Sequence, residues 1–394
     1  MQRLLTFSVH TRMLTRCLVI LALATTLLVV QIQTQTQAQT QAQPNELPQD
    51  PIRLAIVGPM LGTSFTIGIQ LSVGVTAALN TLTDGSLLGR TIQISTHDDR
   101  CTRLIAEKLA QDLVKNPPDV IIGHSCSAAT IAAAPIYAEH GVLQITPAST
   151  HPRATEMGIN TIFRMIGRDD VQARMAAERL STQHAGQKIG IFYFPSEYST
   201  GLAEAAMAEL AQRDIQPSRV VQGISSATSY IDDIQTLMEA GIEVVYLIGG
   251  GLDNGVFMRQ ARQMGAAFAV IATDTLVSAI FRETAGQMAE EVPFTFSTEA
   301  AGLPSSEPAI AAIRAMGEEP VGYTLLAYAA TEVWIEGVKR AGNLVADNIA
   351  AAIRSQAITT ILGPVSFDTK GDIQTTYPEF SWFIWQDGKR VPLD

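Results

Sequence analysis

Asp119 to Thr150 reads DVIIGHSCSAATIAAAPIYAEHGVLQITPAST, two short apolar runs that each end in small hydroxyl residues, with one helix-length segment between them. Val120-Ile121-Ile122 leads into Gly123-His124-Ser125-Cys126-Ser127, and Val142-Leu143-Gln144-Ile145 leads into Pro147-Ala148-Ser149-Thr150. Two strand-length runs joined through a helix make a βαβ unit, and that connection demands parallel pairing. Ligands of an open parallel sheet bind beyond the carboxyl ends of its strands, so Ser127, Ser149, Thr150 and nearby free N–H groups are expected around one spot. Hydroxyls and the first N–H groups of a helix are donors that suit a small carboxylate. Taken one at a time, a helix cap at Ser127 and an ordinary turn at Ser149 to Pro152 are the plainer accounts.

The same alternation runs along the chain. Ile52 to Val57, Thr91 to Thr96, Lys188 to Phe194, Ser218 to Gly223, Val244 to Ile248 and Ala269 to Ala272 are strand-like, and segments of helical spacing lie between them. The pattern predicts an α/β protein of two doubly wound lobes with parallel sheets, the second series starting near Gly186. Pro320 to Gly342 returns to helix, with Tyr323, Leu326, Ala330 and Trp334 at core spacing, and Phe380 to Gly388 reads as a hairpin strand and turn. A ligand between two such lobes meets strand ends from both.

Arg3, Arg12 and Arg16 followed by the apolar run Cys17 to Val30 have the form of a secretory signal, and the run is shorter than the roughly 20 residues of a membrane span. Gln31 to Gln43 is a Gln/Thr/Ala-rich low-complexity tether. Residues 1–43 are therefore expected to be removed on export to the periplasm, an uncleaved N-terminal anchor being the alternative. The whole chain carries a formal charge of −11, and its leader holds three arginines and no acid, so what remains is more acidic still. Nucleic acid is an unsuitable partner for such a surface. Cys101 and Cys126 remain, and in an exported protein an even pair is most simply a disulfide. Closing that loop restricts the unfolded chain by about 3.5 kcal/mol in the chain-entropy treatment.

Gly123-His124-Ser125-Cys126-Ser127 comes close to a G-x-S-x-G nucleophile elbow, which requires an acid and then a histidine later in the chain. The last histidine is His184, leaving the second half with none, so an esterase centred on Ser125 is disfavoured. No H-E-x-x-H, paired C-x-x-C or phosphate loop occurs, and no cofactor or metal is expected. Gly249-Gly250-Gly251 ends a strand and leaves room for a ligand. Asp274 ends the strand from Ala269 and is placed to accept from a ligand ammonium, which needs a counter-charge once out of water. Tyr198 follows another second-lobe strand, where its ring is positioned to cover a ligand.

These residues together resemble the leucine/isoleucine/valine-binding protein family, type I solute-binding proteins of ABC importers. The resemblance rests on Ile56-Val57-Gly58-Pro59-Met60-Leu61-Gly62, Asp98-Asp99-Arg100-Cys101, Gly123 to Ser127, Pro147 to Thr150, Phe163-Arg164, Ala327 to Ala330 and Gly363 to Asp372, in that order. It implies α-carboxylate donors at Ser127 and Thr150 with the backbone of Ala148 and Ser149, an ammonium acceptor at Asp274, a second-lobe tyrosine at Tyr198, and the family's two cysteines at Cys101 and Cys126. Two positions depart from the pattern, Ile67 replacing an aromatic and Gly250 replacing a tyrosine, and both reshape the side-chain pocket. The resemblance further implies lobe I over 51–168 plus 298–372, lobe II over 169–297 plus 373–394, and hinges near Arg168, Ser297 and Asp372. The expected function is capture of a small, apolar or branched-chain α-amino acid by a monomer that hands it to permease and ATPase subunits. An amide, urea-like or aromatic acid ligand, or a sensor role through a receptor, is the alternative.

Overall fold

The computed structural model describes residues 50–290, 292–298 and 302–393, so the signal segment and tether expected over 1–43 lie outside the described residues. The first sheet contains β1 (Ile52–Gly58), β2 (Ser86–Leu87), β3 (Arg90–Asp98), β4 (Val120–Gly123), β5 (Leu143–Thr146) and β6 (Ile162–Arg164), in the order β2-β3-β1-β4-β5-β6. All but the short β2 run parallel. β4 and β5 are buried at every position, as strands covered by helices on both faces must be. The chain steps from β1 outward to β3 and then back past β1 to β4. Order therefore reverses between β1 and β4, and the loops after Gly58 and Gly123 open side by side at that switch point.

The second sheet repeats the device. β7 (Ile189–Tyr193), β8 (Arg219–Gln222), β9 (Val244–Ile248), β10 (Ala269–Ala272) and β11 (Phe294–Ser297) are parallel, with the reversal between β7 and β9. The expected hairpin, β15 (Phe380–Gln386) and β16 (Lys389–Pro392), adds antiparallel strands at the β11 edge. Its turn residues Asp387 and Gly388 both have positive φ, 51° and 71°, the backbone of a tight twisted hairpin. A third small antiparallel sheet, β12 (Ile358–Thr360), β13 (Gly363–Phe367) and β14 (Ile373–Gln374), was not read from the strand pattern.

The helices are α1 (Phe65–Leu82), α2 (Arg103–Leu113), α3 (Ser127–Glu139), α4 (Asp169–Gln183), α5 (Glu197–Ala211), α6 (Ile231–Glu239), α7 (Gly251–Gln263), α8 (Ala279–Ala285), α9 (Glu307–Ala315), α10 (Thr324–Ala341) and α11 (Ala346–Ser355). α1 is long and apolar enough to cross a membrane by length and composition, yet its Leu71, Val75 and Leu79 belong to the buried core. It packs on α10 so closely that a Cβ at Gly74 would sit 2.2 Å from the Thr324 carbonyl oxygen. The interior side chains of α4 (Ala173, Ala176, Ala177, Leu180) join Ile189, Ile191 and Tyr246 beneath the second sheet.

The chain passes between the sheets three times: after β6 into α4, after β11 toward α9 and α10, and after β14 into β15. The first and third passages are tied together. Arg164, fully buried, is bonded to Asp372, and Arg168 Nη1 donates to Asp372 Oδ2 at 2.9 Å. The Glu379 carboxylate accepts from the Arg168 N–H at 3.2 Å.

Candidate ligand-binding site

The carboxyl ends of both sheets open onto one cavity of about 260 Å³. From the first sheet it is lined by the loop after β1 with Thr63 and Ser64, by Ser125 to Ala128 after β4, and by Ala148 and Thr150 after β5. From the second it is lined by Phe194, Ser196, Tyr198 and Ser199 after β7, Gly250 to Asp253 after β9, and Asp274 and Thr275 after β10. Ile67, Ser225, Ser226, Ile280 and Tyr323 also line it. Seven of the eight residues predicted for ligand contact (Ile67, Ser127, Ala148, Thr150, Tyr198, Gly250 and Asp274) line this cavity; Ser149 does not.

Ser149 does its work one layer back. Its hydroxyl lies 2.6 Å from Thr130 Oγ1 and donates to the His124 carbonyl at 3.3 Å, while its N–H donates to Thr146 Oγ1 at 3.1 Å. The Ala148 N–H makes a longer bond to the same Thr146 oxygen, 3.4 Å. The loop from Gly123 to Cys126 is pinned by this layer and by others. The Gly123 carbonyl accepts from Gln144 Nε2 at 2.9 Å, His124 Nδ1 pairs with buried Asp99 at 2.6 Å, and Tyr137 Oη lies 3.1 Å from His124 Nε2. Cys101 and Cys126 form the expected disulfide, their Cα atoms 5.2 Å apart.

Cys126, rather than Ser127, occupies the cap position of α3, so Ser127 is the first helical residue. The first N–H bonded back into the helix is that of Thr130, to the Cys126 carbonyl at 3.0 Å. The N–H groups of Ser127 and Ala128 thus belong to the unpaired first turn, the positive end of the helix dipole, at the cavity wall. The Ser127 hydroxyl also accepts from the His151 N–H at 3.3 Å. Ser125 lines the same wall with its hydroxyl buried and without a hydrogen-bond partner among the described residues. Both ring nitrogens of the adjacent His124 are engaged by Asp99 and Tyr137, so His124 is not placed as a general base for Ser125.

The opposite wall is acidic. Asp274 is 2% exposed and accepts from Tyr198 Oη at 2.6 Å, Tyr323 Oη at 2.9 Å and Gln172 Nε2 at 3.2 Å. Gln172 Nε2 also donates to Asp169 at 3.0 Å, bridging two buried carboxyl groups. Burial pushes the Asp274 carboxyl up from its ordinary value, and the three donors offset part of that rise. Burial, and then the Asp274 charge, push Asp169 well up, against hydrogen bonds from Thr150 and Gln172 and the charge of Arg164. Tyr198, expected to cover a ligand with its ring, lines the cavity, and its hydroxyl also holds Asp274 in place.

The sequence reading missed Tyr323, which lines the cavity, and Gln172 and Asp169, which stand behind Asp274. Asp169 stands beside Asp170 at the start of a helix, where acids are favoured anyway, so no local signal separates the buried one from its partly exposed neighbour. Tyr323 carries helical core spacing, and only the packing of α10 on α1 brings its hydroxyl to a second-sheet carboxylate; its N–H is held by Gln70 Oε1 of α1 at 2.9 Å. One wall therefore offers donors and a helix N-terminus, the other a buried carboxylate, which is the polarity of a clamp for a zwitterion.

Comparisons with known proteins agree with this architecture. The family model described as "Periplasmic binding protein" matches residues 51–382. Leu/Ile/Val-binding protein homolog 1 of Brucella suis biovar 1 is 31% identical over 339 residues, 84% of this chain and 90% of that protein. The crystal structure of a leucine binding protein from Thermotoga maritima has the same fold, with a TM-score of 0.78 at 23% identity over 87% of this chain and 98% of that one. A solute binding protein of an ABC transporter from R. palustris, in complex with benzoate, has a TM-score of 0.78 at 16% identity over 87% and 95% of the two chains. With its paired parallel sheets, its cleft at two switch points and these matches, the chain belongs to the Leu/Ile/Val-binding protein family of periplasmic binding proteins.

Proposed function

We propose that this protein is the exported, substrate-capturing component of an ABC importer and that it holds an α-amino acid by its zwitterionic head group. The observation that carries the reading is the polarity of the cavity: the α3 N-terminus and hydroxyls on the first-sheet wall, buried Asp274 on the second. The ligand carboxylate takes the N–H groups of Ser127 and Ala128 with the hydroxyls of Ser127, Ser125 and Thr150. Its ammonium takes Asp274, whose place is set by Tyr198 and Tyr323. Ile67, Phe194, Leu252 and Ile280 supply apolar surface for a side chain, in keeping with an aliphatic stem.

In this reading the lobes (51–168 plus 298–372, and 169–297 plus 373–394) close about hinges near Arg168, Ser297 and Asp372. Closure is favoured by a ligand because only the closed form lets one molecule touch both walls. An aromatic acid, the ligand of the R. palustris relative, is the second reading. It is less well served here, since among the described residues the cavity lining contains no lysine, arginine or histidine to replace the lost ammonium interaction. A thermal-shift screen of amino acids, aromatic acids and amides decides between them. Stabilisation by α-amino acids alone is the expected outcome, and stabilisation by acids that lack an amine overturns the reading.

A further inference from the structure

The cavity contains a second carboxylate that the head-group clamp leaves unused. Asp253, the third residue of α7, lines the cavity on the side of the Gly250 loop, together with Ser225 and Ser226. Its Oδ1 accepts both the Ser226 N–H at 2.8 Å and the Tyr230 hydroxyl at 2.6 Å. Anchoring the 224–230 loop therefore occupies one oxygen, and Oδ2 has no donor among the described residues. Beside it the cavity is roomy: a Cβ at Gly250 meets no atom within 4 Å. With Asp274 and Asp253 both lining the cavity, and no cationic side chain in the lining among the described residues, a ligand whose side chain ends in a hydrocarbon leaves Asp253 Oδ2 without a donor.

We infer that Asp253 is a specificity-determining acceptor and that the ligand is an α-amino acid whose aliphatic stem ends in a hydrogen-bond donor, an ammonium or an amide. The inference rests on the zwitterion reading above and extends it from head group to side chain. The apolar residues Ile67, Leu252 and Ile280 then flank the methylene stem, and the open space at Gly250 admits the end group to Asp253. A half-buried charge-assisted contact of this kind is sufficient for a several-fold preference.

The test uses calorimetry on the mature chain with two matched pairs, norvaline against ornithine and norleucine against lysine, plus glutamine. Within each pair the stem is identical and only the terminal ammonium differs. The expected result is that at least one donor-bearing member binds threefold or more tighter than its partner. Asp253→Asn keeps an oxygen for Ser226 and Tyr230, and it is expected to erase that preference while the affinity for the aliphatic member stays within twofold. Equal or tighter binding of the aliphatic members by the unaltered protein, or a preference that survives Asp253→Asn, overturns the inference while the zwitterion reading stands. If no amino acid binds and an aromatic acid does, both fall together.

Discussion

The two walls of the cleft are built from the same strand-end geometry yet differ in chemistry and in how they are held. The first-sheet wall presents donors on a loop fixed by a disulfide, by the Asp99–His124 pair and by hydroxyl contacts to the His124 carbonyl. The second-sheet wall presents a carboxylate held by two phenols and an amide, one of the phenols, Tyr323, coming from the helix packed on the first lobe. A donor wall needs fixed backbone, because N–H groups point only where the chain does. An acidic wall needs partners that keep a buried charge from being prohibitively costly. A zwitterion is oriented by that asymmetry before its side chain matters.

The sharpest break of the comparison is to unpin the donor wall. Cys101→Ser with Cys126→Ser is expected to lower stability by about 3.5 kcal/mol, read from urea midpoints, since it releases the loop closure. Equal midpoints would mean the hydrogen bonds alone hold the wall. Next comes the acidic wall: Asp274→Ala should weaken α-amino acid binding at least tenfold in calorimetry with the circular dichroism spectrum unchanged, and unchanged affinity would remove Asp274 from the site. Tyr323→Phe deletes one of its three donors while the ring stays. A few-fold loss of affinity is expected, as for one hydrogen bond of roughly 1 kcal/mol.

Acidification separates the walls in another way. The folded-state values of Asp169 and Asp274 both lie above the ordinary one, so their contribution to stability is fully present below about 3.9, the unfolded value, and is lost as pH rises through the folded values. Lowering pH across that window should therefore raise the melting temperature of the ligand-free protein. Ammonium binding needs Asp274 ionised, so affinity should fall over the same window. Parallel trends in the two quantities would show that Asp274 does not meet the ammonium. The smallest effect is expected at the cleft rim, where Arg103 of α2 reaches Glu197 of α5 at 2.9 Å with both side chains partly exposed. Arg103→Ala should cost about 0.5 kcal/mol or less at physiological salt in melting measurements.

Much of this fold was legible in sequence because parallel strands covered on both faces must be apolar throughout, and Val120-Ile121-Ile122 or Val244 to Ile248 have no other reading at that length. The small sheet from Ile358 to Gln374 was illegible for the opposite reason, since strands of two to five residues with alternating exposure carry little periodicity. Helix α7 begins at Gly251, inside the glycine run that ends the strand, because glycine is a poor helix former whose placement here is decided by the turn after β9. Among site residues, those at strand ends were readable. Asp253, inside a helix, and Asp169, next to an equivalent acid, were not.

Residue pattern alone was enough to specify the parallel sheets, the hydroxyl clusters at their carboxyl ends, the cysteine pair and the lack of a later histidine for catalysis. Each of these depends on local period or on a count. Tertiary packing decided the rest. It turned Ser149 inward to brace a loop, joined the Tyr198 hydroxyl to Asp274, brought Tyr323 to the same carboxylate, and left one oxygen of Asp253 at the cavity. A side chain's partner across a cleft is set by how whole helices and sheets stack, and no stretch of neighbouring residues encodes that distance.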